Sequence, residues 1–214
     1  MEQRLIDITV TLAPGTPEWP GDTPFSCGWT MRMAEGASVN VSTITASPHV
    51  GTHADAPLHV RDGAAASDTL PLAAFLGPAV VLDVASLEGD IDRDMLRRAG
   101  LSGTPARLLL RTGRSIADAP FPAAWPALTA ACAASLAAEG LQLLGVDCPS
   151  VDARESKTLD VHHALFDRGA YILENLDLSR TAAGSYELIA APVKLGGLDA
   201  APVRAVLRHP HTGT

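Results

Sequence analysis

Residues 49–59 constrain the fold more than any other segment, because they place three of the chain's seven histidines and one aspartate at alternating positions. An extended strand would point these four side chains to one face. It would also hold His49 and Asp55 about 20 Å apart, since a strand advances roughly 6.6 Å for every two residues. Metal–ligand bonds are about 2 Å long, so the chain has to curl if these side chains bind one ion.

The residues between the histidines indicate how the chain turns. Gly51 has access to backbone dihedrals that other residues avoid, and Pro57 interrupts both helices and sheet ladders. A helix would bring His49 and His53 together as an i, i+4 pair, but Pro48 and Pro57 flank a stretch containing Gly and Thr that disfavours a helix. We therefore expect an irregular loop that leaves a strand.

The chemistry of the segment favours a metal site over a solvated histidine tract. Imidazole and carboxylate groups are the ligands that Zn²⁺, Mn²⁺ and Fe²⁺ prefer in proteins. Clustered histidines also occur in surface tracts that bind metals adventitiously. A glycine and a proline at fixed offsets have no role in such a tract, so we interpret residues 49–59 as part of a metal site, which suggests hydrolysis.

Composition limits the class of protein. The 214 residues suit one domain, which we place at residues 1–208, with 209–214 as a frayed tail. A hydrophobic fraction of 47% excludes intrinsic disorder, and a net charge of −8 argues against nucleic acid or anionic membranes as partners. We expect a cytoplasmic protein, because the N-terminus carries charges where a signal peptide is apolar and no apolar run approaches the ~20 residues of a membrane span.

Strands outnumber helices in the sequence pattern, which predicts a mixed, β-rich α/β fold with helices packed outside. Helices are predicted at 92–99, before Gly100, and at 128–139, before Gly140. The predicted strands lie at 5–12, 39–45, 79–84, 107–111, 141–147, 171–174, 186–190 and 203–207.

The three cysteines do not form a disulfide framework, because their number is odd and their spacing is irregular. Cys132 lies in an Ala-rich helical pattern and is typical of a core residue. Cys148 lies at a predicted strand end, which leaves a cysteine hydrolase as an alternative interpretation.

A second group of candidate ligands lies more than a hundred residues after the first. His162 and His163 are adjacent, and Glu174 ends the apolar run 171–173. A glutamate at the end of an inward-facing run costs desolvation unless it has a partner, and a metal ion is such a partner. A surface histidine pair beside a strand-end glutamate is the simpler alternative.

Residues 49–59 resemble the signature of the cyclase family of metal-dependent hydrolases, H-x-G-T-H-x-D-x-P-x-H, at every defined position. Within that family the sequence is most similar to the bacterial kynurenine formamidases, and the resemblance runs nearly end to end. Segments 19–24 and 155–163 point to the formamidases. The remaining resemblance lies within 39–41, 145–150, 172–174, 186–190 and 198–205.

The resemblance implies a swivelling β/β/α-type fold, a homodimer and two Zn²⁺ ions per subunit, with Mn²⁺ as an alternative. It implies five metal ligands: His49, His53, Asp55, His162 and Glu174. In this scheme the first three bind one zinc, Asp55 and Glu174 bridge both ions, and His162 binds the second.

The resemblance also implies a reaction, the hydrolysis of N-formyl-L-kynurenine to L-kynurenine and formate in tryptophan degradation. It assigns His59 as the general acid/base and Trp19 as an aromatic contact for the substrate. A water on zinc has a pKa of about 7, which would supply hydroxide at neutral pH. His59 would then pass the water's proton to the aryl amine.

Two alternatives remain beside the formamidase interpretation. One is another amide hydrolase of the same family, such as a manganese-dependent enzyme acting on isatin, which the first motif alone does not separate. The other is a non-catalytic, metal-stabilised binding protein. An intact His59 speaks against the second, because a structural site does not need a free histidine there.

Overall fold

The computed structural model describes residues 5–117 and 120–210, which form a mixed α/β fold in which strands predominate, as predicted. In chain order the strands are β1 (Leu5–Asp7), β2 (Ser26–Met31), β3 (Val41–Thr45), β4 (His53–Asp55), β5 (Leu76–Asp83), β6 (Asp90–Ile91), β7 (Arg107–Arg111), β8 (Ala127–Leu128), β9 (Leu143–Val146), β10 (Tyr171–Glu174), β11 (Gly184–Ile189), β12 (Ala200–Pro202) and β13 (Val206–Arg208). The α-helices are α1 (Leu72–Phe75), α2 (Arg93–Arg98), α3 (Ala130–Ala138) and α4 (Asp160–Phe166).

One nine-stranded sheet organises the molecule, in the order β1-β13-β11-β5-β7-β9-β10-β4-β12. Its centre, β5 to β10 in that order, is parallel, and the strands on either side are antiparallel. The parallel strands are nearly continuous apolar runs because both of their faces are covered.

Successive residues of β7 show how the two faces are filled. Leu108 and Leu110 pack into a core that includes Leu96 of α2 and Leu136 of α3. Leu109, between them, points into a second core on the opposite face. Gly145 of β9 has no room for a side chain, because a Cβ there would clash with Leu109 Cδ2.

Both predicted helices are present, with shorter bounds. The Asp92 side chain accepts the backbone N–H of Met95 at 2.8 Å and begins α2, and Gly100, at φ +103°, follows its end. The helix predicted from 128 begins two residues later because Ala127–Leu128 pairs with Asp90–Ile91 as strand β8.

The strands predicted at 107–111 and 171–174 have the predicted bounds, and three of the other strand predictions differ most from the structure. The strand predicted at 5–12 ends at Asp7. The strand predicted at 203–207 begins only at Val206, as β13, because the preceding residues Ala200–Pro202 form β12 on the other edge of the sheet. The strand predicted at 39–45 forms β3, which begins at Val41 and is exposed along its whole length, because β2 and β3 pair with each other and not with the nine-stranded sheet.

No helix in residues 5–117 and 120–210 is both long and apolar enough to cross a membrane. Of the predicted tail, residues 211–214 lie outside the described residues. His209 lies beside the ring of Tyr186, with 5.2 Å between ring centroids.

Candidate metal centre

Strand β4 places two candidate ligands, His53 and Asp55, on one face of the sheet. The prediction of an irregular loop is wrong for this part of the motif, because His53–Asp55 is a strand paired with β10 on one side and β12 on the other. His53 and Asp55 are two residues apart and therefore point to the same face. Glu174 of β10 lies directly opposite His53 in the strand register, so a third candidate ligand lies on the same face of the sheet.

The Gly and Thr of the motif build the turn before β4. Gly51 has φ +72°, and its carbonyl oxygen lies 2.9 Å from His53 Nδ1, which leaves Nε2 of that ring for the cluster. Thr52 Oγ1 donates to the carbonyl oxygen of Asn175 at 2.6 Å and accepts the N–H of Val10. These bonds hold His49, in the turn, close to the end of β10.

Helix α4 supplies the last candidate ligand. Asp152 accepts the backbone N–H groups of Val161 and His162 and fixes the start of the helix. The same carboxylate lies 2.6 Å from His162 Nδ1, so Nε2 of His162 faces Asp55 and Glu174.

The five predicted ligands therefore converge. His49 Nδ1 and His53 Nε2 lie 3.1 Å and 3.3 Å from Asp55 Oδ1, and His53 Nε2 lies 3.5 Å from Glu174 Oε2. On the other side, His162 Nε2 lies 3.3 Å from Asp55 Oδ2 and 3.5 Å from Glu174 Oε1. Each carboxylate thus turns one oxygen toward His162 and the other toward the histidines of the motif.

Burial makes the charges in this cluster interdependent. His53, Asp55 and His162 are at most 1% exposed. Burial alone would lower the pKa of each histidine, but the neighbouring carboxylates outweigh it and raise the pKa of His53 and of His162 to about 10. Burial alone would raise the pKa of Asp55, but the charge on His53 and the close imidazole nitrogens of His162, His49 and His53 hold it well below its usual value.

The donor set fits a divalent metal ion. Asp55 Oδ1 is buried without a hydrogen-bond partner, although two imidazole nitrogens lie within 3.3 Å of it. Those nitrogens, His49 Nδ1 and His53 Nε2, are 3.1 Å apart and face each other. A cation among these atoms would satisfy all three, and nitrogen with carboxylate oxygen suits zinc or manganese.

His59 lies at the edge of the cluster, in a 3₁₀ turn after β4. Its side chain is 29% exposed, and its ring centroid lies 4.4 Å from that of His49 and 5.7 Å from that of His162. Nitrogen or oxygen atoms of His49, Asp55 and His59 also lie within 4.8 Å of one another. The geometry therefore allows His59 to act as an acid/base or as a ligand.

A cavity of about 340 Å³ opens onto the cluster and is lined by His49, His53, His59, His162 and Glu174 together with aromatic residues. Trp19 lines this cavity, and its ring makes edge contacts with Phe121 and Trp125 at centroid distances of 5.5 Å and 6.0 Å. Trp19 therefore lies in the wall of the cavity that opens onto the cluster, and its contact with the substrate stays a prediction.

Sequence reasoning missed two aspartates that hold the histidines from outside. Asp152 contacts His162, and Asp199 Oδ2 lies 3.0 Å from His49 Nε2 and 3.5 Å from His59 Nδ1. Neither residue has a local pattern that marks it, although 198–205 belongs to the segments that carry the family resemblance. His163, which neighbours His162, is not among the cavity-lining residues.

The structure does not favour Cys148 as a nucleophile. Its side chain is fully buried and its Sγ donates to the carbonyl oxygen of Ser150 at 3.2 Å. Burial, with the charges of Asp147 and Glu174, raises the pKa of the thiol well above its usual value. A nucleophilic cysteine needs the opposite environment, one that favours the thiolate.

Comparisons with known proteins agree with this architecture. A solved structure described as a potential metal-dependent hydrolase with cyclase activity is 29% identical, covers 98% of this chain and 99% of its own, and has a TM-score of 0.84. A predicted metal-dependent hydrolase from Bacillus stearothermophilus is 28% identical, with coverages of 98% and 100% and a TM-score of 0.83. Isatin hydrolase A from Ralstonia solanacearum is 25% identical, with coverages of 97% and 92% and a TM-score of 0.80.

The match to a family model identifies the chain. The model of the Cyclase family matches residues 6–153, which is more than half of the 214 residues. The matched range contains the whole motif at 49–59, and the fold is that of the solved structures just described. The chain belongs to the cyclase family.

Proposed function

We propose that this chain is a metal-dependent amide hydrolase and that it cleaves N-formyl-L-kynurenine to L-kynurenine and formate. One observation carries the proposal. A cluster of three histidines and two carboxylates, buried except for the partly exposed His49, faces an aromatic cavity, and a fourth, partly exposed histidine lies at its edge. Solved structures of similar fold, described as metal-dependent hydrolases and an isatin hydrolase, support the reaction class.

Amide hydrolysis needs a nucleophile, a polarised carbonyl group and a proton for the leaving amine. The first two would come from a divalent ion held by this cluster, which would activate water and polarise the carbonyl oxygen. His59 would supply the third requirement, because an imidazole can take a proton from water and return it to the amine. Its partial exposure and its position against His49 place it beside the cluster, within reach of a substrate in the cavity.

Two zinc ions per subunit are the proposed occupants. The two-sided arrangement of Asp55 and Glu174 supports two ions, because each carboxylate turns one oxygen to each side of the cluster and would help to hold an ion there. His49 and His53 would complete one side and His162 the other. The same nitrogen and oxygen donors also suit manganese, so metal add-back has to compare the two ions.

The cavity lining favours a substrate that carries a charged amino-acid group beside its amide over an uncharged cyclic amide. Trp19 and Phe121 offer an aromatic wall for an aryl group. Two acidic and two basic side chains also line the cavity, namely Glu18, Asp22, Arg154 and Lys157. A kynurenine side chain carries an ammonium and a carboxylate group, and both signs of charge are present to meet them.

Isatin hydrolysis is the second candidate, supported by the similarity to isatin hydrolase A. Isatin is a cyclic amide without charges, so it would use the metal cluster and the aromatic wall but not the four charged residues. Lys157→Gln should therefore weaken hydrolysis of N-formyl-L-kynurenine and leave isatin hydrolysis nearly unchanged.

The deciding experiment compares both substrates before and after removal of metal. We expect hydrolysis of N-formyl-L-kynurenine to stop after dialysis against chelator and to return with added zinc or manganese. A protein that cleaves isatin alone would replace the proposed substrate. A metal-loaded protein that cleaves neither amide would favour the non-catalytic binding protein.

A further inference from the structure

One carboxylate oxygen contacts both a candidate metal ligand and the candidate acid/base. Asp199 Oδ2 lies 3.0 Å from His49 Nε2 and 3.5 Å from His59 Nδ1. The second distance is at the outer limit of a hydrogen bond, as such contacts often are before a substrate binds. The two rings are adjacent, with centroids 4.4 Å apart.

Each of the three candidate ligand histidines contacts an oxygen atom through the ring nitrogen that faces away from the cluster. These oxygens belong to Gly51 for His53, Asp152 for His162 and Asp199 for His49. Such outer contacts fix the tautomer and the orientation of a ligand ring. Among the three, only the Asp199 oxygen also reaches His59.

The backbone holds Asp199 in register with the motif. Asp199 directly precedes β12, and its carbonyl oxygen accepts the N–H of Ala56 at 2.9 Å. Ala200, the next residue, lies opposite Asp55 across the β12–β4 pair. The backbone of Asp199 is therefore hydrogen-bonded beside the end of β4, the strand that carries two of the candidate ligands. The Asp199 side chain nevertheless remains 42% exposed.

We propose that Asp199 is a positioning residue for both neighbours. It holds His49 with Nδ1 toward the metal, and it turns His59 so that Nε2 faces the reacting amide. The first part concerns metal binding alone, and the second rests on the proposed function. Because one oxygen serves both rings, loss of Asp199 affects metal affinity and turnover together.

The test compares Asp199→Asn with Asp152→Asn, a matched change at the outer partner of a different ligand. Metal affinity is measured by competition with a chelator, and kcat and KM are measured with metal in excess. Both variants should bind metal about 10- to 100-fold more weakly, the usual effect of losing such a contact. In excess metal, kcat of Asp199→Asn should stay roughly tenfold or more below that of Asp152→Asn, with KM little changed.

Other results would overturn the inference in separable ways. Asp94→Asn, at an exposed residue far from the cluster in sequence, gives the background for both measurements. An Asp199→Asn protein with the metal affinity of Asp94→Asn would refute the role at His49. Full recovery of its kcat in excess metal would refute the role at His59.

The two proposals fail differently. If wild type cleaves isatin but not N-formyl-L-kynurenine, the proposed substrate falls and the kcat comparison is made with isatin. If wild type cleaves neither amide, the role at His59 falls with the proposed function. The metal-affinity comparison between Asp199→Asn and Asp152→Asn still decides the role at His49. Circular dichroism checks that each variant folds.

Discussion

The metal-free protein should lose stability as the pH rises from about 7 to 10. His53 and His162 are both buried beside carboxylates, and each has a pKa raised to about 10 in the folded chain. The usual histidine value of about 6.5 applies in the unfolded chain. The stabilisation from these two charges is therefore complete below about pH 6.5 and is lost as the pH approaches 10. Asp55, whose pKa is lowered, stays ionised throughout this range.

The size of the effect follows from the protons bound in each state. At pH 8 the two histidines hold about two more protons in the folded than in the unfolded chain, which corresponds to roughly 2–3 kcal/mol per pH unit. This is an upper figure because both rings share Asp55 and Glu174. For a chain of this length, Tm should fall by about 5–10 °C per pH unit between pH 7.5 and 9.

Scanning calorimetry of chelator-treated protein measures this slope. In metal-loaded protein the two rings would be neutral ligands, so Tm should be flat or should rise over the same range. His53→Gln should roughly halve the slope of the metal-free protein, whereas His163→Gln should leave it unchanged. A metal-free Tm that changes by less than about 2 °C per pH unit would mean that the two histidines are neutral, which would refute the argument.

Four further predictions concern activity and assembly. His59→Ala should keep its metal but lose about 100-fold or more of kcat; loss of metal in elemental analysis would make His59 a ligand instead. Trp19→Ala should mainly raise KM, and unchanged kinetics would remove Trp19 from the substrate cavity. A thiol-blocking reagent should leave activity intact, because Cys148 is buried, and inactivation that Cys148→Ala prevents would count against the metal mechanism. Sedimentation equilibrium should show the homodimer. If the exposed β2–β3 pair forms its interface, Trp29→Ser with Ile44→Ser should shift the protein toward monomer.

The sequence predicted the composition of the candidate site better than its shape. The motif at 49–59 is local, so its histidines and Asp55 could be identified from spacing and side-chain chemistry. Its conformation depends on distant partners, because β4 pairs with β10 and β12, which lie more than a hundred residues later. Turn-forming residues suggested a loop, and the pairing on both sides made His53–Asp55 a strand.

Glu174 and Asp199 show why some site residues can be predicted and others cannot. Glu174 ends an apolar run, so its desolvation cost already pointed to a partner such as a metal ion. Asp199 is partly exposed and precedes a strand of only three residues, so neither burial nor periodicity distinguishes it. Only the fold shows that its carboxylate meets His49 and His59.

Protons and metal ions compete for the same atoms in this cluster. Without metal, positive charges on His53 and His162 face the carboxylates of Asp55 and Glu174. A divalent ion would take the place of those protons, because a histidine must lose its proton to bind metal. The charges of the metal-free cluster are therefore balanced in the folded chain. Metal affinity should increase as the pH rises, because fewer protons then have to be displaced. For the same reason, the stability of the metal-free protein should fall as the pH rises, whereas that of the loaded protein should be flat or should rise.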